Sequence, residues 1–191
     1  IGARAVPVPT YEEYDYRIQA ADIEKAVTPR TRAILLNSPC NPTGAVLTKE
    51  DILAIAKVAK THDLWVLTDE PYDAIVYDGI QPYSMAQVPE MQDRVMVLNS
   101  FSKSYAMTGF RIGYACGPRD VIKGMVNYQS QATSAPNTAA QHAAAVALTM
   151  PQDCVEEMRR AFEQRRDRLV ELINAIPGLS CRKPQGAFYI M

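Results

Sequence analysis

Three short apolar runs at regular intervals constrain the fold of this chain more than any other feature. The runs are AILL (33–36), LWVL (64–67) and VMVL (95–98). They are rich in aliphatic residues and do not alternate with polar ones, which is typical of strands buried on both faces of a parallel sheet. We therefore predict an α/β fold built on a three-layer, doubly wound, mainly parallel sheet.

A helical sequence joins the first two runs. In TKEDILAIAKVAKTH (48–62), Thr48 and Asp51 have the spacing of a helix-capping pair, and apolar residues follow at the spacing of one helical face. A strand, a helix and a parallel strand in this order form a βαβ unit. The second connection, 72–93, is rich in turn residues, and its sequence does not place a helix.

The sequence changes character near residue 150. RIGYACGP (111–118) predicts a further strand, whereas DCVEEMRRAFEQRRDRLVELINAI (153–176) predicts a long charged helix with one apolar stripe. We predict a large domain over 1–150 and the beginning of a smaller α+β domain over 151–191. The smaller domain would start with the long helix, followed by its first strand.

Composition limits the class of partner. Twenty basic and 21 acidic residues give a net charge of −1, which offers no electrostatic basis for binding nucleic acid or an anionic membrane. Four cysteines without a CxxC pair, and only two histidines, predict no metal site and a reducing, cytoplasmic location. We expect a small molecule as the ligand.

Polar side chains follow the end of each predicted strand. In an open parallel sheet these ends lie at one edge, where ligands of such folds bind. The spacings of 28 residues from Asn41 to Asp69 and 34 from Asp69 to Lys103 match one βαβ crossover each. We expect six residues to converge there: Asn41, Asp69, Tyr72, Ser100, Ser102 and Lys103.

An amine, a carboxylate, a phenol and several hydroxyls together suit pyridoxal phosphate. Its aldehyde requires a lysine, its ring nitrogen an anionic partner, and its phosphate hydroxyls and a cation such as Arg111. Each residue also has a simpler explanation. Asp69 could cap a turn before Pro71, Asn41 could initiate a turn, and Arg111 could be a surface charge.

Three motifs in register resemble the class I/II, aspartate aminotransferase-like family of fold-type I pyridoxal-phosphate enzymes. They are NPTG (41–44), DEPY (69–72) and SFSKSYAMTGFRIGY (100–114), and PQGAFY (184–189) resembles the first strand of that family's small domain. The resemblance implies a large domain that binds pyridoxal phosphate and an aminotransferase that moves an amino group from an L-amino acid to a 2-oxo acid. It also implies a homodimer.

The resemblance implies a role for each candidate residue. Lys103 would form a Schiff base with the cofactor and shuttle a proton, and Asp69 would pair with the ring nitrogen. Asn41 and Tyr72 would hydrogen-bond the ring's phenolic oxygen. The phosphate would be held by Ser100, Ser102 and Arg111, the last through a guanidinium fork.

Two alternatives within the same fold stay open. One is a pyridoxal-phosphate-dependent C–S lyase or synthase, and the other is the aminotransferase-like effector domain of a transcriptional regulator. A nucleotide-binding domain is disfavoured, since neither GxGxxG nor GxxxxGK[ST] occurs.

Parts of the family pattern do not occur in this sequence. They are the glycine-containing phosphate loop, the aromatic residue that stacks on the ring and the arginine that binds the substrate carboxylate. The chain starts without methionine and ends within an expected strand, at GAFYIM. We expect a fragment that is inactive alone and belongs to an active longer protein.

Overall fold

The computed structural model describes residues 2–191, which contain four strands and six α-helices. The strands are β1 (Ala33–Asn37), β2 (Trp65–Asp69), β3 (Val95–Ser100) and β4 (Gly113–Cys116). The helices are α1 (Ala20–Ala26), α2 (Lys49–Thr61), α3 (Phe101–Ser104), α4 (Arg119–Ala132), α5 (Thr138–Thr149) and α6 (Asp153–Asn174). None of the helices in this described range is long and apolar enough to cross a membrane.

The strands form one sheet in the order β1-β2-β3-β4. β1 pairs with β2 and β2 with β3 in parallel, whereas β4 runs antiparallel to β3. The predicted α/β fold with a mainly parallel sheet is therefore confirmed. The expected strand at 111–118 is shorter than predicted, because Arg111 lies ahead of β4 in the left-handed backbone region, with φ 51°.

Helix α2 covers one face of the sheet, as the sequence predicted. Thr48 and Asp51 form a reciprocal capping box at its N-terminus, which satisfies two backbone N–H groups that the helix leaves free. Its apolar face packs on alternate residues of the strands, and this core contains Ile34, Leu36, Ile52, Ile55, Ala59, Val66 and Val95.

The expectation that β1 is buried on both faces is wrong for the described residues. Its burial alternates along the strand, and Leu35 is 70% exposed while its neighbours Ile34 and Leu36 are buried. The reason is that α2 covers only the face to which Ile34 and Leu36 belong. Asn37 and, by register, Asp69 belong to the other face.

Helix α5 packs close to the segment that follows β3. Its N-terminus is capped by the Asn137 side chain, which accepts a hydrogen bond from the backbone N–H of Ala140 at 3.1 Å. Small residues let the helix approach its neighbours closely, and the resulting cluster contains Phe101, Met107, Ile112, Ala140, Ala144 and Ala147. This cluster packs α3 and the segment after it against α5.

Helix α6 is attached to the loop after β2 by an arginine that the sequence did not single out. Arg166 is only 5% exposed and donates two hydrogen bonds to the Asp78 carboxylate, at 2.7 and 3.0 Å. It donates a third to the carbonyl of Pro184 at 2.9 Å, and its guanidinium lies 4.5 Å from the Tyr77 ring centroid. The hydrogen bonds from Arg166 hold the pKa of the Asp78 carboxyl below its ordinary value.

The Arg166→Ala variant should lower the free energy of unfolding by about 3 kcal/mol, because truncation leaves a carboxylate and a carbonyl without their buried donor. The loss should shrink as the pH falls through the lowered pKa of Asp78, since a protonated carboxyl no longer forms the ion pair. Urea unfolding at several pH values measures both effects.

The matched control for this prediction is Arg160→Ala on the same helix. Arg160 pairs with Glu156 at 2.7 Å, but its side chain is 69% exposed. An exposed pair of this kind contributes at most about 1 kcal/mol. Equal losses in the two variants would contradict the buried role of Arg166.

The predicted strand at PQGAFY (184–189) is wrong. In place of a strand, the segment forms one isolated antiparallel bridge, between Gly186 and Val76. It is held instead by irregular contacts, in which Gln185 and Gly186 both donate their backbone N–H groups to the carbonyl of Gly44. The fit is tight, since a Cβ at Gly44 would lie 2.8 Å from the carbonyl oxygen of Gly186. The proposed domain boundary near residue 150 stays a prediction.

Candidate active site

The C-terminal ends of β1 and β2 carry an amide and a carboxylate on the open face of the sheet. Asn37 is paired in register with Asp69, and its Nδ2 donates to the Asp69 backbone carbonyl at 3.0 Å and to Oδ2 at 3.3 Å. Its Oδ1 accepts from the backbone N–H of Asn41 at 2.8 Å. Asn37 therefore connects the turn that carries Asn41 to Asp69.

Asp69 keeps part of its hydrogen-bonding capacity free. Within residues 2–191, its Oδ1 accepts no hydrogen bond and no basic side chain lies within ion-pair distance. Partial burial without a counter-charge raises the pKa of the Asp69 carboxyl above its ordinary value. An anion in this environment is stabilised by a cation placed beside it.

Lys103 lies in the short helix that directly follows β3. That helix begins after Ser100, whose Oγ accepts from the backbone N–H of Ser102 at 3.1 Å. The Lys103 ammonium lies 5.9 Å from the Tyr72 ring centroid and 5.5 Å from that of Phe188. Over the described part of the chain it forms no ion pair or hydrogen bond, so its nitrogen is available to another group.

A hydrogen-bonded pair of phenols lies next to Lys103. The hydroxyls of Tyr72 and Tyr189 are 2.6 Å apart, and Asn41 Nδ2 donates to the Tyr189 hydroxyl at 3.4 Å. Tyr72 is only 2% exposed, and this burial, together with the bond to Tyr189, raises the pKa of its phenol well above the ordinary value. Tyr72 is therefore a protonated donor near neutral pH.

The three predicted phosphate ligands lie near the junction of β3 and β4. Ser100 pairs in register with Gly113, and its Oγ lies 3.5 Å from the carbonyl oxygen of Ile112, the residue after Arg111. Ser102 is 8% exposed. Arg111 is exposed and donates from Nη1 to the Thr108 carbonyl at 2.9 Å, which leaves most of its guanidinium donors for another acceptor.

Two further acidic residues near the site have structural partners. Glu70 accepts from the Thr68 and Ser84 hydroxyls, both at 2.8 Å, and burial raises the pKa of its carboxyl. Asp73 accepts from Asn99 Nδ2 at 2.8 Å and from Ser104 Oγ at 3.2 Å. The Asp73 contacts fasten the loop after β2 to the end of β3 and to the last residue of α3, and so bring Tyr72 towards Lys103.

The structure thus connects most of the predicted residues through direct contacts. One series runs from Asp69 through Asn37 to Asn41, and then through Tyr189 and Tyr72 to Lys103. The serines and Arg111 belong to the adjoining strand junction. Sequence reasoning missed Asn37 and the aromatic residues of PQGAFY; the only signal for the former was its position directly after an apolar run.

The chemistry of this donor set fits pyridoxal phosphate. An unpaired amine suits the aldehyde, a carboxylate with a free oxygen suits the protonated ring nitrogen, and a phenol donor suits the ring oxygen. Hydroxyls and a guanidinium suit the phosphate. The fold and these side chains together define a class, the fold-type I pyridoxal-phosphate proteins.

Comparison with known proteins identifies the family within that class. The family "Aminotransferase class I and II" matches residues 1–191, and the chain belongs to it. The chain is 47% identical over 191 residues to aromatic-amino-acid aminotransferase 2 of Thermococcus litoralis, covering 99% of this chain and 49% of that protein. It is 43% identical over 188 residues to aspartate aminotransferase of Geobacillus stearothermophilus, covering 96% of this chain and 48% of that protein.

Solved structures agree with this assignment. The crystal structure of the aromatic aminotransferase from Pyrococcus horikoshii matches with a TM-score of 0.93 and 45% identity, covering 97% of this chain and 50% of that one. The chain therefore spans about half the length of the relatives that it matches.

Proposed function

We propose that the complete protein containing these residues is a pyridoxal-phosphate-dependent aminotransferase that moves an amino group from an L-amino acid to a 2-oxo acid. The observation that carries the proposal is the position of Lys103. Its ammonium has no partner within residues 2–191 and lies 5.9 Å from the ring centroid of Tyr72. A series of hydrogen bonds, through Tyr189, Asn41 and Asn37, connects Tyr72 to Asp69. Family membership and the names of the relatives support the same activity.

Bound pyridoxal phosphate would supply an aldehyde that accepts amines and a ring that accepts electrons. Lys103 would provide the amine that holds the cofactor, and its Nζ would take up and return the proton moved during transfer. Asp69 would keep the ring nitrogen protonated, because its carboxylate gains a counter-charge there. Tyr72 would donate its hydroxyl, and Asn41 its side-chain amide, to the ring's phenolic oxygen.

The phosphate would be held at the junction of β3 and β4. Ser100 and Ser102 would donate hydroxyl groups, and Arg111 would supply the cation. Because the Arg111 guanidinium makes one backbone contact through Nη1, the remaining N–H groups can form a planar fork toward phosphate oxygens. The phosphate would then lie close to Lys103, which lies on the helix that Ser100 caps.

Aspartate and aromatic L-amino acids are the donors that we propose first, since the relatives are named for them. We also propose a homodimer and a cytoplasmic location. Free cysteines at positions 40, 116, 154 and 181 are in keeping with a reducing compartment.

Incubation of the complete protein with pyridoxal phosphate, aspartate or an aromatic amino acid, and 2-oxoglutarate should produce glutamate. The amount should equal that of the 2-oxo acid formed from the donor, because amino-group transfer conserves nitrogen. Chromatography of the products measures both. In a parallel incubation with cystathionine as the only amino acid, release of ammonia, pyruvate and a thiol without glutamate would favour the C–S lyase alternative, and binding of cofactor without turnover of any of these substrates would favour the regulator.

A further inference from the structure

The roles proposed for the other site residues do not explain the position of Tyr189. Its hydroxyl is 2.6 Å from that of Tyr72 and also receives the 3.4 Å contact from Asn41 Nδ2. The two rings meet edge to face, with centroids 5.8 Å apart. Tyr189 is thus a direct neighbour of the proposed donor to the cofactor, from a segment 117 residues away in sequence.

The chemistry of the Asn41 amide and of the Tyr189 and Tyr72 hydroxyls determines which group donates each hydrogen bond. The Asn41 Nδ2 group can only donate, so the Tyr189 oxygen accepts from it and the Tyr189 proton stays free to bond elsewhere. When an anionic acceptor binds, Tyr72 turns its proton toward it, and its own oxygen can then accept from Tyr189. Successive hydrogen bonds of this kind polarise one another, so each donor becomes stronger.

We propose that Tyr189 is a positioning residue of this site, whose hydroxyl orients and polarises the Tyr72 hydroxyl for donation to the anionic ring oxygen of pyridoxal phosphate. The inference rests on the proposed function, because it assigns an acceptor to Tyr72.

The Tyr189 hydroxyl is not needed to hold its own segment in place. The backbone of Gln185 and Gly186 is bonded to the Gly44 carbonyl, and the Ala187 N–H donates to Ile75 at 2.9 Å. Arg166 also binds the Pro184 carbonyl. A Tyr189→Phe variant keeps the ring and all of these contacts, so it isolates the effect of the hydroxyl.

The test is a pH titration of the visible absorption band of the complete, cofactor-loaded protein. A hydrogen bond donated to the ring oxygen withdraws negative charge from that oxygen. This weakens its attraction for the proton on the nitrogen that would join Lys103 to the cofactor. A weaker donor should therefore raise the pH at the midpoint of the titration. Tyr189→Phe should raise it by about half a pH unit. Tyr72→Phe, which removes the donor itself, should raise it by about one unit or more.

Two comparisons separate a relay through Tyr72 from a general disturbance. Adding Tyr189→Phe to a Tyr72→Phe variant should not change the midpoint further, since the Tyr72 hydroxyl, through which Tyr189 acts, is already absent. Tyr83→Phe is the matched control, because Tyr83 also loses one hydroxyl bond, to the Gln87 carbonyl at 3.2 Å, and packs against the core on the α2 side of the sheet. It should not change the midpoint.

The outcomes distinguish this inference from the proposed function. An unchanged midpoint in Tyr189→Phe, or an equal shift in the presence and absence of the Tyr72 hydroxyl, would overturn the inference alone. Absence of any pH-dependent band in the unsubstituted, cofactor-loaded protein would overturn the proposed function and the inference together.

Discussion

The Lys103→Ala variant of the complete protein should lose the covalent attachment of pyridoxal phosphate, and its turnover should fall by about 10⁴-fold. The physical reason is that Lys103 is the primary amine placed against Tyr72 with no competing partner in the described chain. Borohydride reduction followed by peptide mapping measures the attachment. The label should appear on Lys103 in the unsubstituted protein and disappear in the variant.

The control is Lys57→Ala, which removes an exposed lysine from α2. It should retain the pH-dependent absorption band, the borohydride label on Lys103 and normal turnover. A label that persists on the same peptide in Lys103→Ala would refute the assignment of this lysine. Addition of a small primary amine offers a further check, since it should restore part of the lost activity if proton transfer is what the variant lacks.

The Asp69→Asn variant should retain the cofactor but lose about 10²–10³-fold in turnover, because a neutral amide cannot keep the ring nitrogen protonated. Lys103 and the phosphate ligands stay in place, so covalent attachment should survive. Steady-state kinetics measure turnover, and the borohydride label measures attachment. Normal turnover in Asp69→Asn would show that the reaction does not need the Asp69 carboxylate to keep the ring nitrogen protonated.

The pH dependence gives a second measurement for Asp69. Burial raises the pKa of its carboxyl, so the group takes up a proton at a higher pH than an exposed aspartate would. The positively charged ring nitrogen of the bound cofactor would lower this pKa again, so turnover of the unsubstituted protein should fall only when the pH is low enough to protonate Asp69 beside that cation and remove its anionic partner. The turnover of Asp69→Asn should not show this fall at low pH.

Glu70→Gln is the matched control for Asp69→Asn. It removes the adjacent carboxylate, but Glu70 is bonded to the Thr68 and Ser84 hydroxyls on the side of the strand that faces α2. Its amide oxygen can still accept from one or both of them. Turnover should change little, and a loss as large as that of Asp69→Asn would indicate a nonspecific effect of removing charge from this strand end.

Sequence reasoning recovered the part of the fold that depends on local patterns. The apolar runs predicted β1, β2 and β3, since short aliphatic runs favour the strands of a parallel sheet, although β1 is covered on one face only. The pair Thr48 and Asp51 predicted the start of α2, since a capping box needs only residues three apart. Lys103 and Asp69 could be predicted because each follows one of the apolar runs by two to five residues.

Contacts between distant segments could not be predicted in the same way. The burial of Arg166 depends on Asp78, Tyr77 and Pro184 meeting around it, and nothing in the helical pattern of α6 indicates which arginine that will be. Tyr189 was missed for a similar reason, since only the folded chain places it beside Tyr72.

The failed strand prediction at 184–189 has a related cause. The aromatic residues there favour an extended backbone, but a strand also requires a partner that offers a row of hydrogen bonds. In residues 2–191 the neighbouring backbone is the turn at Gly44 and the loop around Val76, which supply only scattered partners. Local preference was therefore insufficient to decide the outcome.

The contact between Gly44 and residues 184–186 joins segments that are far apart along the chain, and the site is complete only after this contact has formed. The sheet and α2 join segments that are near one another along the chain, whereas Tyr72 and Tyr189 are 117 residues apart. Because closing a longer loop costs more entropy, we expect such contacts to form after the local ones. A refolding molecule would then acquire its sheet first, and the phenol pair would mature late, so that cofactor capture marks the end of folding.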